Sequence, residues 1–152
     1  MRIVRVLLLT AVCLSPALAQ DDKPMPRHGV NPDLETYPQA TPKETLASVL
    51  KAINAKRMDY LLAQLADPDF VDQSVKTADG KFDDLVQEAT AKLSADPTAV
   101  KELLRFLKEG EWEASDTAAA AQLKDIKDRR VFMRKIDNRW FLQNQQKPSA
   151  EK

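Results

Sequence analysis

The chain has 152 residues with 23 basic and 23 acidic side chains interspersed along it, so its formal net charge is zero. That balance argues against nucleic acid or an anionic membrane as the main partner, because both are held chiefly through an excess of Lys and Arg. One cysteine, Cys13, and one histidine, His28, exclude a disulfide framework and leave a metal centre without its usual ligands.

Residues 1–19 read as a cleavable secretory leader. Arg2 and Arg5 form a basic start, Val6 to Leu14 an apolar run, and Ala17-Leu18-Ala19 a small-x-small end. The run is shorter than the ~18 residues a membrane span needs, and Asp21-Asp22 follow it in place of a basic stop. Val12 before Cys13 is bulkier than a lipoprotein signal takes. Cleavage after Ala19 would leave 21 basic against 23 acidic residues, a net charge of about −2, and no cysteine. The expected location is periplasmic or extracellular in a bacterium, with no stable membrane insertion after cleavage.

Residues 20–40 carry Pro24, Pro26, Pro32 and Pro38 among polar neighbours and read as a disordered, extended linker; residues 146–152 read as a disordered tail. Residues 41–145 are long enough for a single domain with one core.

That domain opens on a capping box, with Thr41 as N-cap, Pro42 in the first turn and Glu44 reaching back. Leu46, Val49, Leu50 and Ile53 follow at helical spacing. A second helix is expected over Met58 to Leu65, stopping before Asp67-Pro68, and Ala78-Asp79-Gly80 marks a turn. A third helix carries Phe82, Leu85, Val86, Ala89 and Leu93 on one face. A fourth starts from Asp96-Pro97, continues through Val100, Leu103, Leu104 and Leu107, and ends at Gly110.

Arg130 to Ile136 and Arg139 to Gln143 are rich in β-branched and aromatic residues, and Asp137-Asn138 between them tolerate the positive φ of a tight hairpin turn. That turn sets Lys135 opposite Trp140 and Met133 opposite Leu142. Val131, Met133, Trp140 and Leu142 then share a face toward the helices, with Arg130, Phe132, Arg134, Ile136, Arg139 and Phe141 on the other. Between Glu111 and Lys124, Trp112 points to a strand while Ala118 to Ala121 are the strongest helix formers. A two-stranded hairpin is marginal alone, so strands are expected here as well. The fold class is α+β: N-terminal helices packed on a curved antiparallel sheet of about four strands, cone-like in form.

Thr41-Pro42-Lys43-Glu44-Thr45-Leu46, Tyr60 to Asp67 and Val131 to Leu142 resemble, in order, the first helix, the second helix with its acidic loop, and the closing hairpin of the nuclear transport factor two-like superfamily, which includes ketosteroid isomerases. The resemblance implies a cone with an internal pocket, and either a cofactor-free isomerase or dehydratase or a binding module without activity. It also permits a homodimer through the sheet.

An isomerase-like site would need a carboxylate base and a hydroxyl beside it, for which Tyr60 with Asp67, Asp69 or Asp72 are the candidates. The alternative is that Asp67-Pro68-Asp69 is a solvated turn and Tyr60 a helix-edge residue. No acid or histidine lies on the hairpin strands to act as a second partner. His28 falls between Pro26 and Pro32 with nothing to fix its geometry.

Arg130, Arg134 and Arg139 could grip an anion or pair with helix carboxylates, and Trp112, Trp140, Phe132 and Phe141 could line a pocket or fill a core. The reading that follows is an exported, non-enzymatic domain that binds a small molecule or an envelope protein. Tyr60, Trp112, Phe132, Arg134 and Phe141 are its candidate contacts, and no metal or cofactor is implied.

Overall fold

Thr41 Oγ1 accepts from the Glu44 amide at 3.2 Å and the Glu44 carboxylate accepts from the Thr41 amide at 3.1 Å, so the expected capping box starts helix α1, Pro42–Asn54. A computed structural model of the chain describes residues 24–77 and 80–144. The leader, its cleavage site and the tail from 145 onward lie outside the described residues.

Leu46, Val49 and Leu50 are buried along α1, as their spacing requires. The helix ends in a Schellman motif in which the Arg57 amide donates to the Ala52 carbonyl at 2.8 Å and the Lys56 amide to the Ile53 carbonyl at 3.0 Å. Helix α2, Met58–Tyr60, runs directly into a π-helical turn, Leu61–Leu65, which closes with the Ala66 amide donating to the Leu61 carbonyl at 2.8 Å.

The chain then departs from expectation. Asp67-Pro68 ends the second helix but also begins another, α3, Pro68–Thr77, because proline is tolerated in a first turn and Asp67 Oδ1 accepts from the Asp69 amide at 3.0 Å. Asp67 is buried, so the reading of this stretch as a solvated turn is corrected. Gly80 has φ +80° before α4, Phe82–Ala95, while Ala78 and Asp79 lie outside the described residues.

Helix α5, Pro97–Glu109, is capped by Asp96 Oδ1, which accepts from the amides of Thr98 and Ala99 at 3.1 and 3.3 Å. Gly110 ends it where a Cβ would collide with the carbonyl of Phe106.

Four antiparallel strands follow in the order they occur in the chain: β1, Glu111–Ala114; β2, Ala118–Gln122; β3, Arg130–Ile136; and β4, Arg139–Gln143. The α+β class with helices preceding a four-stranded antiparallel sheet is as the sequence indicates. The hairpin register also agrees, with Lys135 opposite Trp140, Met133 opposite Leu142, and Asp137 and Asn138 both at positive φ. Ala118 to Ala121 are strand, because pairing on both sides outweighs the helix propensity of alanine.

One core cluster, Leu46, Phe106, Ala119, Ala121, Leu123, Val131, Met133 and Trp140, fills the space between the sheet, α1 and α5. A second surrounds Val49, Leu62, Leu65 and Val71 among the helices, with Leu103 and Leu142 packed against both.

Residues 24–40 correct the linker expectation for the part of it described. Tyr37 and Gln39 are buried, and Ser48 Oγ donates to the Pro38 carbonyl at 2.8 Å. Gln39 Nε2 donates to the carbonyls of Gln64 and Trp140 at 3.0 and 2.8 Å, and Gln64 Nε2 to that of Val30 at 2.8 Å. Proline-rich composition argued for disorder, but the segment's few amides and carbonyls find internal partners and Tyr37 supplies the apolar anchor.

Candidate functional site

Helix α4 buries only Leu85 fully; Val86, Ala89 and Leu93 on the same face remain half-buried. Their modest size leaves the helix standing off its floor, which is made by Val49 and Ile53 of α1 and by Met58, Leu61 and Leu62 around the π turn. Leu103 of α5 and Val131, Phe132 and Leu142 at the open end of the β3–β4 hairpin complete a groove of about 580 Å³, open to solvent along one side. The volume falls within the usual range for small-molecule sites, and the walls are apolar.

The polar groups gather at the rim. Glu88 and Lys92 of α4 pair with each other at 2.5 Å, and the Asp96 carboxylate is engaged at the start of α5. Arg130, Gln143 and Asn144 stand together where the hairpin opens. Gln143 faces Phe132 across the two strands, which makes Arg130 its diagonal neighbour on one sheet face.

Comparison with family models, curated proteins and solved structures finds no match. The site is therefore read from its own geometry.

Of the five residues expected to contact a ligand, Phe132 lines this groove and the other four are placed elsewhere. Tyr60 is buried and stacked on Tyr37 with ring centroids 4.2 Å apart. Its hydroxyl accepts from the Asp33 amide at 2.9 Å and donates to the Asp33 carbonyl at 3.2 Å. Burial pushes the phenol above its ordinary pKa. Tyr60 also borders a smaller polar hollow of about 330 Å³ with Asp33, Arg57 and Asp59. There Arg57 holds the Asp59 carboxyl below its usual range through paired hydrogen bonds at 2.9 Å.

Trp112 is half-buried against the sheet–α5 core, and its indole Nε1 is enclosed without a hydrogen-bond partner among the described residues. Phe141 is buried, with the Arg139 guanidinium 5.0 Å from its ring centre. Arg134 pairs with Asp67 at 3.1 Å and Asp69 at 2.6 Å.

The catalytic alternative does not assemble. Asp69 is 79% exposed and paired with Arg134, and Asp72 is engaged by Arg27 and by His28 Nε2 at 3.2 Å. Neither carboxylate is hydrogen-bonded to Tyr60 among the described residues. The space between the sheet, α1 and α5 is filled by Trp140, Met133 and Leu46.

His28 is held, against expectation: its ring stacks on Phe82 at 4.3 Å, with the planes 1° apart. Among the described residues, no group of three or more His, Cys, Asp or Glu is placed to hold a metal, and no helix is long and apolar enough to cross a membrane.

The three hairpin arginines divide by role. Arg134 follows the ion-pair reading. Arg139 is enclosed beside the side-chain oxygens of Gln64 and Gln39 at 3.3 and 3.5 Å, and its desolvation lowers its pKa. Arg130 alone lines the groove. The groove-facing residues of α4 were legible as an apolar helix face. What that spacing could not reveal is that Ala89, flanked by Leu85 and Leu93, leaves the face too shallow to close on its floor.

Proposed function

We propose that the chain is an exported, non-enzymatic binding domain that takes a small apolar molecule into the groove beneath α4. The observation that carries this reading is a groove of about 580 Å³ with apolar walls drawn from α1, the π turn, α4, α5 and the hairpin. The leader-like sequence of residues 1–19 supports export. The isomerase reading has no geometry in its favour.

The test is titration of the purified protein with a neutral apolar fluorophore, N-phenyl-1-naphthylamine. Saturable binding at one site is expected, and Ala89→Trp should abolish it by filling the groove while leaving the circular dichroism spectrum intact. Absence of saturable binding, or binding undiminished in that variant, would remove the groove as the site.

A further inference from the structure

The rim charges are unequal in what they leave unsatisfied. Glu88 is neutralised by Lys92 one helical turn away, and Asp96 accepts two amide hydrogens at the start of α5. Arg130 has no carboxylate within ion-pairing distance among the described residues, although its neighbours Arg129 and Arg134 are both paired. Gln143 and Asn144 beside it add two carboxamides, each able to donate. The groove therefore has one end rich in donors and otherwise apolar walls. Asp96 lies on the same rim, but its bonds to the backbone leave it little to offer a cation.

Resting on the reading of the groove as the binding site, we propose that its occupant is a single-chain alkyl carboxylate. The chain lies against Leu61, Leu85 and Leu103, and the carboxylate is held by Arg130 with Gln143 and Asn144 at the open end of the hairpin. A guanidinium fork matches a carboxylate in shape, and charge-assisted hydrogen bonds are stronger than neutral ones, with the exposure of Arg130 and Asn144 keeping the gain modest. Apolar walls reward each added methylene until the groove is filled.

The experiment displaces bound N-phenyl-1-naphthylamine from the whole mature protein with decanoate, dodecanoate and tetradecanoate and with the matching alcohols, all below their aggregation limits. Affinity is expected to rise about fourfold per methylene up to the length that fills the groove. Each carboxylate should bind about threefold more tightly than its alcohol, the gain an exposed guanidinium gives. Arg130→Gln should bring the acid-to-alcohol affinity ratio to about one, lowering carboxylate affinity more than alcohol affinity, whereas a merely structural role for Arg130 would weaken both alike.

Equal affinity for acid and alcohol, or a preference untouched by Arg130→Gln, would overturn the carboxylate assignment while leaving the groove in place. Loss of fluorophore binding itself would instead strike at the groove. Sedimentation with phosphatidylglycerol vesicles, without displacement by dodecanoate, would assign Arg130 to a membrane surface and overturn the proposal.

Discussion

Asp67 and Asp69 carry the same carboxylate two residues apart and both reach Arg134, yet they occupy opposite environments. The Asp67 side chain is 7% exposed and that of Asp69 79%. Asp67→Ala removes a helix cap and leaves Arg134, whose Nε is already enclosed without a partner, less well compensated. A loss of about 2 kcal/mol is expected from urea unfolding. Asp69→Ala should leave the unfolding midpoint where it is, because exposed pairs contribute little.

Tyr60 carries a pH prediction. Burial holds its pKa above the ordinary 10.0, so the folded state keeps the phenol proton after the unfolded chain has lost it. The corresponding stability is complete below about pH 10 and declines as pH rises toward the folded value. Tyr60→Phe should flatten that alkaline decline in thermal melts, at a cost of about 1 kcal/mol at neutral pH for its lost bonds to Asp33.

At the scale of elements, the end of α1 offers the clearest test. Lys56 occupies the left-handed position of the Schellman motif at φ +56°, where glycine is the unstrained residue. Lys56→Gly is expected to raise stability by about 0.5–1 kcal/mol in chemical denaturation, and a decrease would count against the motif.

The same scale explains what the sequence could and could not convey. α1, α4, α5 and the hairpin were legible because each is specified locally, by a cap, an apolar period or a turn that permits positive φ. Helix α3 was not, since Pro68 stops one helix and starts the next, and only the buried Asp67 cap distinguishes the two outcomes. Residues 24–40 were not either, because their order depends on partners far along the chain, such as the Gln64 and Trp140 carbonyls. The groove was illegible for a related reason: a cavity is fixed by how far helices stand apart, and an apolar stripe does not encode that distance. Arg130 was singled out, but with Arg134 and Arg139, and only tertiary pairing separates the three.

For the whole molecule, the two edges of the sheet are treated differently. The β4 edge is covered where the Asp67 amide donates to the Leu142 carbonyl at 2.8 Å, and Ala66 bridges Leu142 in parallel. Edge strand β1 instead presents Glu111 and Glu113 on either side of Trp112. A second copy pairing antiparallel with the strand centred on Trp112 or Glu113 would set glutamate against glutamate, so this route to a homodimer is disfavoured. Light scattering on the purified protein is expected to give a monomer at high concentration; a stable dimer lost on sheet-edge substitution would refute this. The bonds between Gln39 and Trp140 have a consequence for biosynthesis. They join residues 101 positions apart, one near the start of the described chain and one near its end. Residues 24–40 can meet Ser48, Tyr60 and Gln64 early in synthesis, but their bonds to β4 cannot form until almost the last strand has been made, so this segment is locked down in two steps, the second at the end of translation.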